Sequence, residues 1–173
     1  MGYDEMVYGL LAPHLNGGQV LSVGCGMGKA EALLQKYTGV QVMGVEVTTY
    51  KEAHIPITPY DGNRLPFSNK SFDTTLFVYM LHHTTDIPHF LKEAKRVTKK
   101  EILILDHSYS NILSKGLLGL YDYCSNVLFD IPIPLNFLKV KEWHELFRTL
   151  DLQVKEASVP SALNVFFKLR VRS

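Results

Sequence analysis

The chain has few cysteines and almost no net charge, and each scarcity excludes something. Its 173 residues hold 2 cysteines, Cys25 and Cys124. That is too few for the multi-bridge framework of a small secreted domain. They read as free thiols of a reducing compartment, and the chain is expected in the cytoplasm. No Cys/His grouping has zinc spacing, so no metal is expected. The 18 basic and 17 acidic side chains leave a formal charge of +1. No Lys/Arg cluster is dense enough for a nucleic-acid footprint. No run of about 18 uncharged apolar residues is present to span a membrane. The first residues lack the charged segment, apolar core and cleavage site of a signal peptide. Internal repeats and low-complexity tracts are absent as well. Nucleic acid and integral membrane contact are therefore not expected, and the expected state is a monomer or homodimer. The hydrophobic content of 46% and charged content of 20% suit a soluble globular domain with a good core.

What is present is concentrated in Gln19-Val-Leu-Ser-Val-Gly-Cys-Gly-Met-Gly28. The apolar run Val20 to Val23 reads as a buried parallel strand. Gly24, Gly26 and Gly28 follow at alternate positions, and a helical pattern runs from Lys29 to Tyr37. Strand, glycine turn and helix let backbone approach a nucleotide-like ligand closely. The dinucleotide fingerprint requires a glycine or alanine where Lys29 stands. This points away from NAD and toward an adenosine ligand without a pyrophosphate.

The rest of the chain alternates. Tyr3, Met6, Val7, Leu10 and Leu11 predict a lead-in helix over 3–15, stopped by Asn16-Gly17-Gly18. Strands are predicted at 19–23, 40–47, near Ile57, at 72–81 and at 101–106. Helices are predicted at 29–37 and 87–97, the second with Phe90, Leu91, Ala94 and Val97 on one face. Residues 108–141 break the rhythm with Leu117, Leu118, Leu120, Tyr121, Tyr123, Leu128 and Phe129, then Ile131-Pro-Ile-Pro134, and read as a helical insertion. A helix at 141–150 carries Trp143, Leu146 and Phe147. Two alternating strands, 152–159 and 164–172, close the chain as an antiparallel pair. The fold class is α/β, a doubly wound, mostly parallel sheet in one domain over 1–173.

Glu46 ends the second strand, where a carboxylate can accept from both hydroxyls of a ribose; alternatively it is a plain strand-end carboxylate. Asp61 follows the third strand and can accept from an exocyclic amine, or it closes an Asp-Gly turn. His82 and His83 follow the fourth strand and can act as a general base, or one packs and the other caps or faces water. Asp106 and His107 are weaker candidates of the same kind.

Together these segments resemble the class I S-adenosylmethionine-dependent methyltransferases, in the branch related to ubiquinone and menaquinone biosynthesis (type 11). The matching pieces are Val20 to Gly28, Gly44-Val-Glu46, Asp61 to Phe67, Ser71-Phe-Asp73, Leu81-His-His83 with Asp86, Leu91 to Val97 and the Trp143 helix. The resemblance implies a seven-stranded Rossmann-like sheet whose last strand is antiparallel and inserted. It implies S-adenosyl-L-methionine as cofactor. Gly24, Cys25, Gly26 and Gly28 would line its methionyl and ribose part, and Glu46 would hold the ribose. Val47 would lie on the adenine face, Asp61 and Gly62 at the adenine amine, and Phe77 and Val78 nearby. The insertion at 108–141 would cover the acceptor; its leucines and aromatics favour an apolar small molecule or a lipid-like acceptor, or else they complete the core or a dimer contact. The family often has an acidic residue where Ser22 stands, which helps hold the cofactor's amino group. It often has small polar residues where Phe77 and Val78 stand, and a glycine turn where Lys99-Lys100-Glu101 stands. Two functions follow. One is in-line methyl transfer to a small acceptor; the other is a non-catalytic module that binds S-adenosylmethionine or S-adenosylhomocysteine, or a partner subunit.

Overall fold

The computed structural model describes residues 2–126 and 134–172. A seven-stranded sheet has the order β3-β2-β1-β4-β5-β7-β6. Strands β1 (Gln19–Val23), β2 (Gln41–Glu46), β3 (Ile57–Pro59), β4 (Phe72–Val78) and β5 (Thr98–His107) pair in parallel. Strand β7 (Asn164–Val171) is antiparallel to both β5 and β6 (Leu152–Ser161) and lies between them. The last strand is therefore antiparallel and inserted, as the resemblance implied.

Side chains alternate across the sheet and build a core on each face. Val20, Leu76, Leu103 and Phe166 pack with Val7 and Leu11 of α1 (Tyr3–Leu11) and with Ala30 and Leu34 of α2 (Lys29–Thr38). Their strand neighbours Leu21, Phe77, Ile102 and Phe167 point the other way. They pack with Leu91 and Ala94 of α3 (Ile87–Val97) and with Trp143 and Phe147 of α5 (Val140–Thr149). Helix α4 (Ile112–Asn126) lies within the 108–141 insertion; the predicted features at Leu128, Phe129 and Ile131 to Ile133 fall outside the described residues.

The chain leaves β1 outward to β2 and β3, then returns to place β4 on β1's other side. The strand order reverses between β1 and β4, which is where open α/β sheets bind ligands at the carboxyl ends of their strands.

Some boundaries differ from the sequence expectation, for physical reasons. Strand β5 begins at Thr98, directly after α3, so Lys99-Lys100-Glu101 is strand and not turn. The Thr98 hydroxyl donates to the Ala94 carbonyl and meets the Thr75 hydroxyl at 2.6 Å, closing the helix end without a glycine. Strand β4 ends at Val78 because Tyr79 takes a left-handed φ of 50°. A 3-10 turn, Leu81–His83, follows.

Candidate functional site

The three glycines of the turn all have positive φ, but their surroundings differ. A Cβ on Gly24 would strike the Met80 side chain, and one on Gly28 would strike Ile55. These two glycines allow close packing. Gly26, at φ 54°, faces open space. Its backbone N–H donates to Glu46 Oε2 at 2.9 Å, and Glu46 Oε1 accepts from its neighbour Val47 N–H at 2.8 Å. The open flank of the turn and the strand-end carboxylate thus form one crevice at the switch point. A Cβ at Gly26 would point into that space, so the turn fits a ligand that approaches backbone closely.

Cys25 is half-buried and turns its thiol under the loop. A Cβ on Gly44 would strike its sulfur. Burial first, then the carboxylates of Glu31 and Glu46, push its pKa up to about 12. It is a packing thiol, not a nucleophile.

Ser22 is wholly buried, and its hydroxyl donates to Glu31 Oε1 at 2.7 Å. Glu31 sits in the first turn of α2 and is only 4% exposed. Burial raises its pKa, although the Ser22 hydrogen bond opposes the shift. The acid absent from position 22 is therefore delivered to the same spot from α2. The helix N-terminus favours a negative charge there. The sequence signal was present: Glu31 interrupts the buried face made by Ala30 and Leu34.

The remaining expected cofactor residues are distributed around this crevice. Val47 is exposed and lies against Gly62, where a Cβ would stand 3.3 Å from Val47 Cγ1. The ends of β2 and β3 therefore meet. Asp61 Oδ1 accepts from the N–H groups of Asn63 at 2.9 Å and Arg64 at 3.3 Å, so the carboxylate closes its own turn. The following loop is clamped from α3. Arg96 donates to the carbonyls of Leu65 and Phe67, and Glu93 accepts from Leu65 N–H at 3.0 Å. Phe77 is wholly buried in the core, so only its backbone reaches the crevice, while Val78 packs on the opposite face.

The ends of β4 and β5 carry a second group. His82 is 2% exposed. Its Nδ1 lies 2.5 Å from Asp106 Oδ1, and its Nε2 lies 3.5 Å from Asp122 Oδ1 on α4. Burial alone would lower its pKa; the Asp106 charge and hydrogen bond, then Asp122, overcome that and raise it to about 9. His83 Nε2 stands 3.7 Å from the same Asp122 oxygen. Asp106 also accepts from the N–H groups of Leu81 and His107. His107 Nδ1 lies 2.9 Å from Asn164 Oδ1, an acceptor, which places the proton on Nδ1 and leaves Nε2 a lone pair. Burial, then the neighbouring His82, lower the His107 pKa. Tyr79 packs against both Tyr3 and His107 in tilted contacts, with ring centroids at 5.7 and 4.7 Å. Its hydroxyl is buried and makes no hydrogen bond among the described residues. A bulky residue at positive φ with an orphan hydroxyl marks a site held under strain.

With this geometry in place, residues 21–105 match the protein family described as Methyltransferase domain. These residues, just under half of the chain, are similar to the core of a methyltransferase domain. Over 96 residues, 50% of this chain, it is 28% identical to the phthiotriol/phenolphthiotriol dimycocerosates methyltransferase of Mycobacterium leprae, and it spans 36% of that relative's length. A didemethyltoxoflavin N1-methyltransferase of Burkholderia thailandensis, solved with its substrate and S-adenosylhomocysteine, superposes with a TM-score of 0.71 at 14% identity. That match covers 98% of this chain and 78% of the other. A SAM-dependent methyltransferase of Aquifex aeolicus gives 0.68 at 16% identity over 99% and 100%. At such identities these structures show the fold alone.

Sequence reasoning singled out Gly26 and Glu46, which the structure brings together; it did not single out Glu31, Tyr79 or Asp122. A surface concavity of about 530 Å³ shares no residue with the crevice. It is lined by Arg64–Asn69 and Arg96, whose polar groups serve the loop clamp. No helix among the described residues is long and apolar enough to cross a membrane.

Proposed function

We propose that the protein transfers a methyl group from S-adenosylmethionine to a small, apolar acceptor seated beneath α4. The observation that carries this reading is the open flank of Gly26 against Glu46, with the buried Ser22–Glu31 pair beside it. In this reading Glu46 accepts from the ribose hydroxyls, and Glu31 meets the ammonium of the methionyl part. Gly24, Cys25 and Gly28 shape the turn. Val47 and Gly62 cover the adenine, Asp61 takes its amine through the oxygen that does not close the turn, and the Phe77 and Val78 backbone lines the floor. The bound cofactor supplies a methyl already activated on a sulfonium. The protein's tasks are then alignment, exclusion of water and acceptance of a proton from the acceptor.

His107 is the favoured proton acceptor, because its neutral form is preferred and Asn164 fixes its tautomer. His82 has a carboxylate at each ring nitrogen and anchors α4 to the turn after β4. His83, less buried, is the second proton acceptor to test. Exposed Leu117, Leu120 and Tyr121 of α4 support an apolar acceptor. The whole of residues 108–141 is read as the acceptor cover.

The test is transfer of label from methyl-labelled cofactor to a panel of phenols, quinols, amines and activated carbon acids. Labelled product is expected, with His107→Gln at least tenfold slower at unchanged cofactor affinity. Cofactor binding with transfer to no acceptor would instead leave the non-catalytic binding module or partner subunit.

A further inference from the structure

We propose that His82, His83 and Asp122 form a binding site for a divalent transition-metal ion. The site shares no residue with the crevice at Gly26 and Glu46 and stands whether or not methyl transfer occurs; an ion bound there would take His83 out of the proton-acceptor role and leave it to His107. The two histidines are consecutive in the 3-10 turn after β4, and Asp122 comes from α4. His82 Nε2 and His83 Nε2 face the same oxygen, Asp122 Oδ1, at 3.5 and 3.7 Å. One ligand atom from each of the three lies within 4.8 Å of the others. Ligands at about 2.0–2.1 Å from a tetrahedral ion stand about 3.3 Å apart. Small χ rotations close the difference.

The surroundings support the same conclusion independently. Asp106 is wholly buried and receives His82 Nδ1, so Nε2 is turned toward Asp122. Both Asp106 oxygens are further fixed by backbone N–H donors from Leu81 and His107. A carboxylate behind an imidazole is the arrangement that orients metal-ligating histidines and raises their basicity. Phe137 stacks on the His82 ring at 5.4 Å and shields that side. Two buried carboxylates, Asp106 and Asp122, share this pocket of imidazoles. Their summed charge matches that of a divalent ion.

The ligand set selects among ions. Two imidazoles and one carboxylate suit zinc, cobalt, nickel, iron or manganese, and not calcium or magnesium, which take oxygen. Three protein ligands leave a position for water or for an oxygen of an acceptor. The His83 side chain, 19% exposed beside 2% and 4% for its partners, marks the side from which that position is reached. A bound ion would also tie α4 to the sheet.

The experiment uses the tag-free chain, stripped with chelator and titrated with Co²⁺ by absorption and with Zn²⁺ by calorimetry. A single ion per chain and intense visible d–d bands are expected, together with a higher Tm. His83→Ala and Asp122→Asn should abolish the bands. Asp106→Asn, which removes no ligand, should weaken affinity about 10- to 100-fold. His144→Ala should change nothing. Circular dichroism checks that each variant folds; where Asp122→Asn does not, His83→Ala at the pocket edge decides alone. Absence of bands and heat at millimolar metal would overturn the proposal, as would undiminished binding by folded His83→Ala.

Discussion

Glu31→Gln should stabilise the protein free of cofactor and weaken its cofactor affinity, two effects of opposite sign from one atom change. The substitution keeps the shape and leaves an oxygen to accept from the Ser22 hydroxyl. It removes only the charge. Burial raises the Glu31 pKa above its unfolded value. Protonation therefore favours the folded state: the wild type has its full stability below the ordinary glutamate range and loses part of it as pH rises through the raised value. The glutamine variant has no such loss. Removing an under-solvated charge held by one hydroxyl is worth on the order of 1 kcal/mol, or about 2–4 °C in Tm for a domain of this size. The gain should be present at pH 8 and vanish near pH 4. Binding moves the other way. A charged hydrogen bond to an ammonium contributes about 1.5–3 kcal/mol, so S-adenosylmethionine should bind roughly 10- to 150-fold more weakly. Methylthioadenosine has no ammonium, and its affinity should not change. Scanning calorimetry at the two pH values and titration calorimetry with the two ligands read all four quantities. A lower Tm for Glu31→Gln at pH 8, or equal losses for both ligands, would refute the reasoning.

Tyr79→Phe removes a buried hydroxyl that has no hydrogen-bond partner among the described residues, so Tm should hold or rise; a Tm lowered by several degrees in scanning calorimetry would refute this. Gly26→Ala should cost about 1–2 kcal/mol of stability for the left-handed φ and also weaken cofactor binding more than tenfold. Gly39→Ala, at φ 72° and with open space beside it, should share the first effect and not the second. The Glu93 pKa is lowered, first by the Arg96 hydrogen bond, so its stabilisation is present above the unfolded value of about 4.3 and is lost as pH falls through the folded one. Glu93→Gln should lower Tm by about 2–4 °C at pH 7, and its melting curves should then converge with wild type between pH 5 and 3.

The middle of the sheet was readable because its central strands are apolar runs buried on both faces. In β5, Ile102 and Ile104 enter one core while Leu103 and Leu105 enter the other. The glycine turn and Glu46 were readable because backbone geometry restricts what can stand there. Thr98 was not, since a hydroxyl closing a helix end on a carbonyl is not visible without the partner strand. Glu31 and Asp122 were missed because each is a surface-type residue buried by a distant segment, Ser22 in one case and the β4 turn in the other. Phe77 followed the strand's alternation into the core, where only its backbone stays at the site.

The most direct test of the central assignment is titration calorimetry of S-adenosylhomocysteine into the wild-type chain and Glu46→Ala. Micromolar binding, weakened roughly 10- to 150-fold by the substitution, is the expected result. No heat with the wild type, or equal affinity for both proteins, would contradict the placement of the cofactor on the open flank of Gly26 beside Glu46.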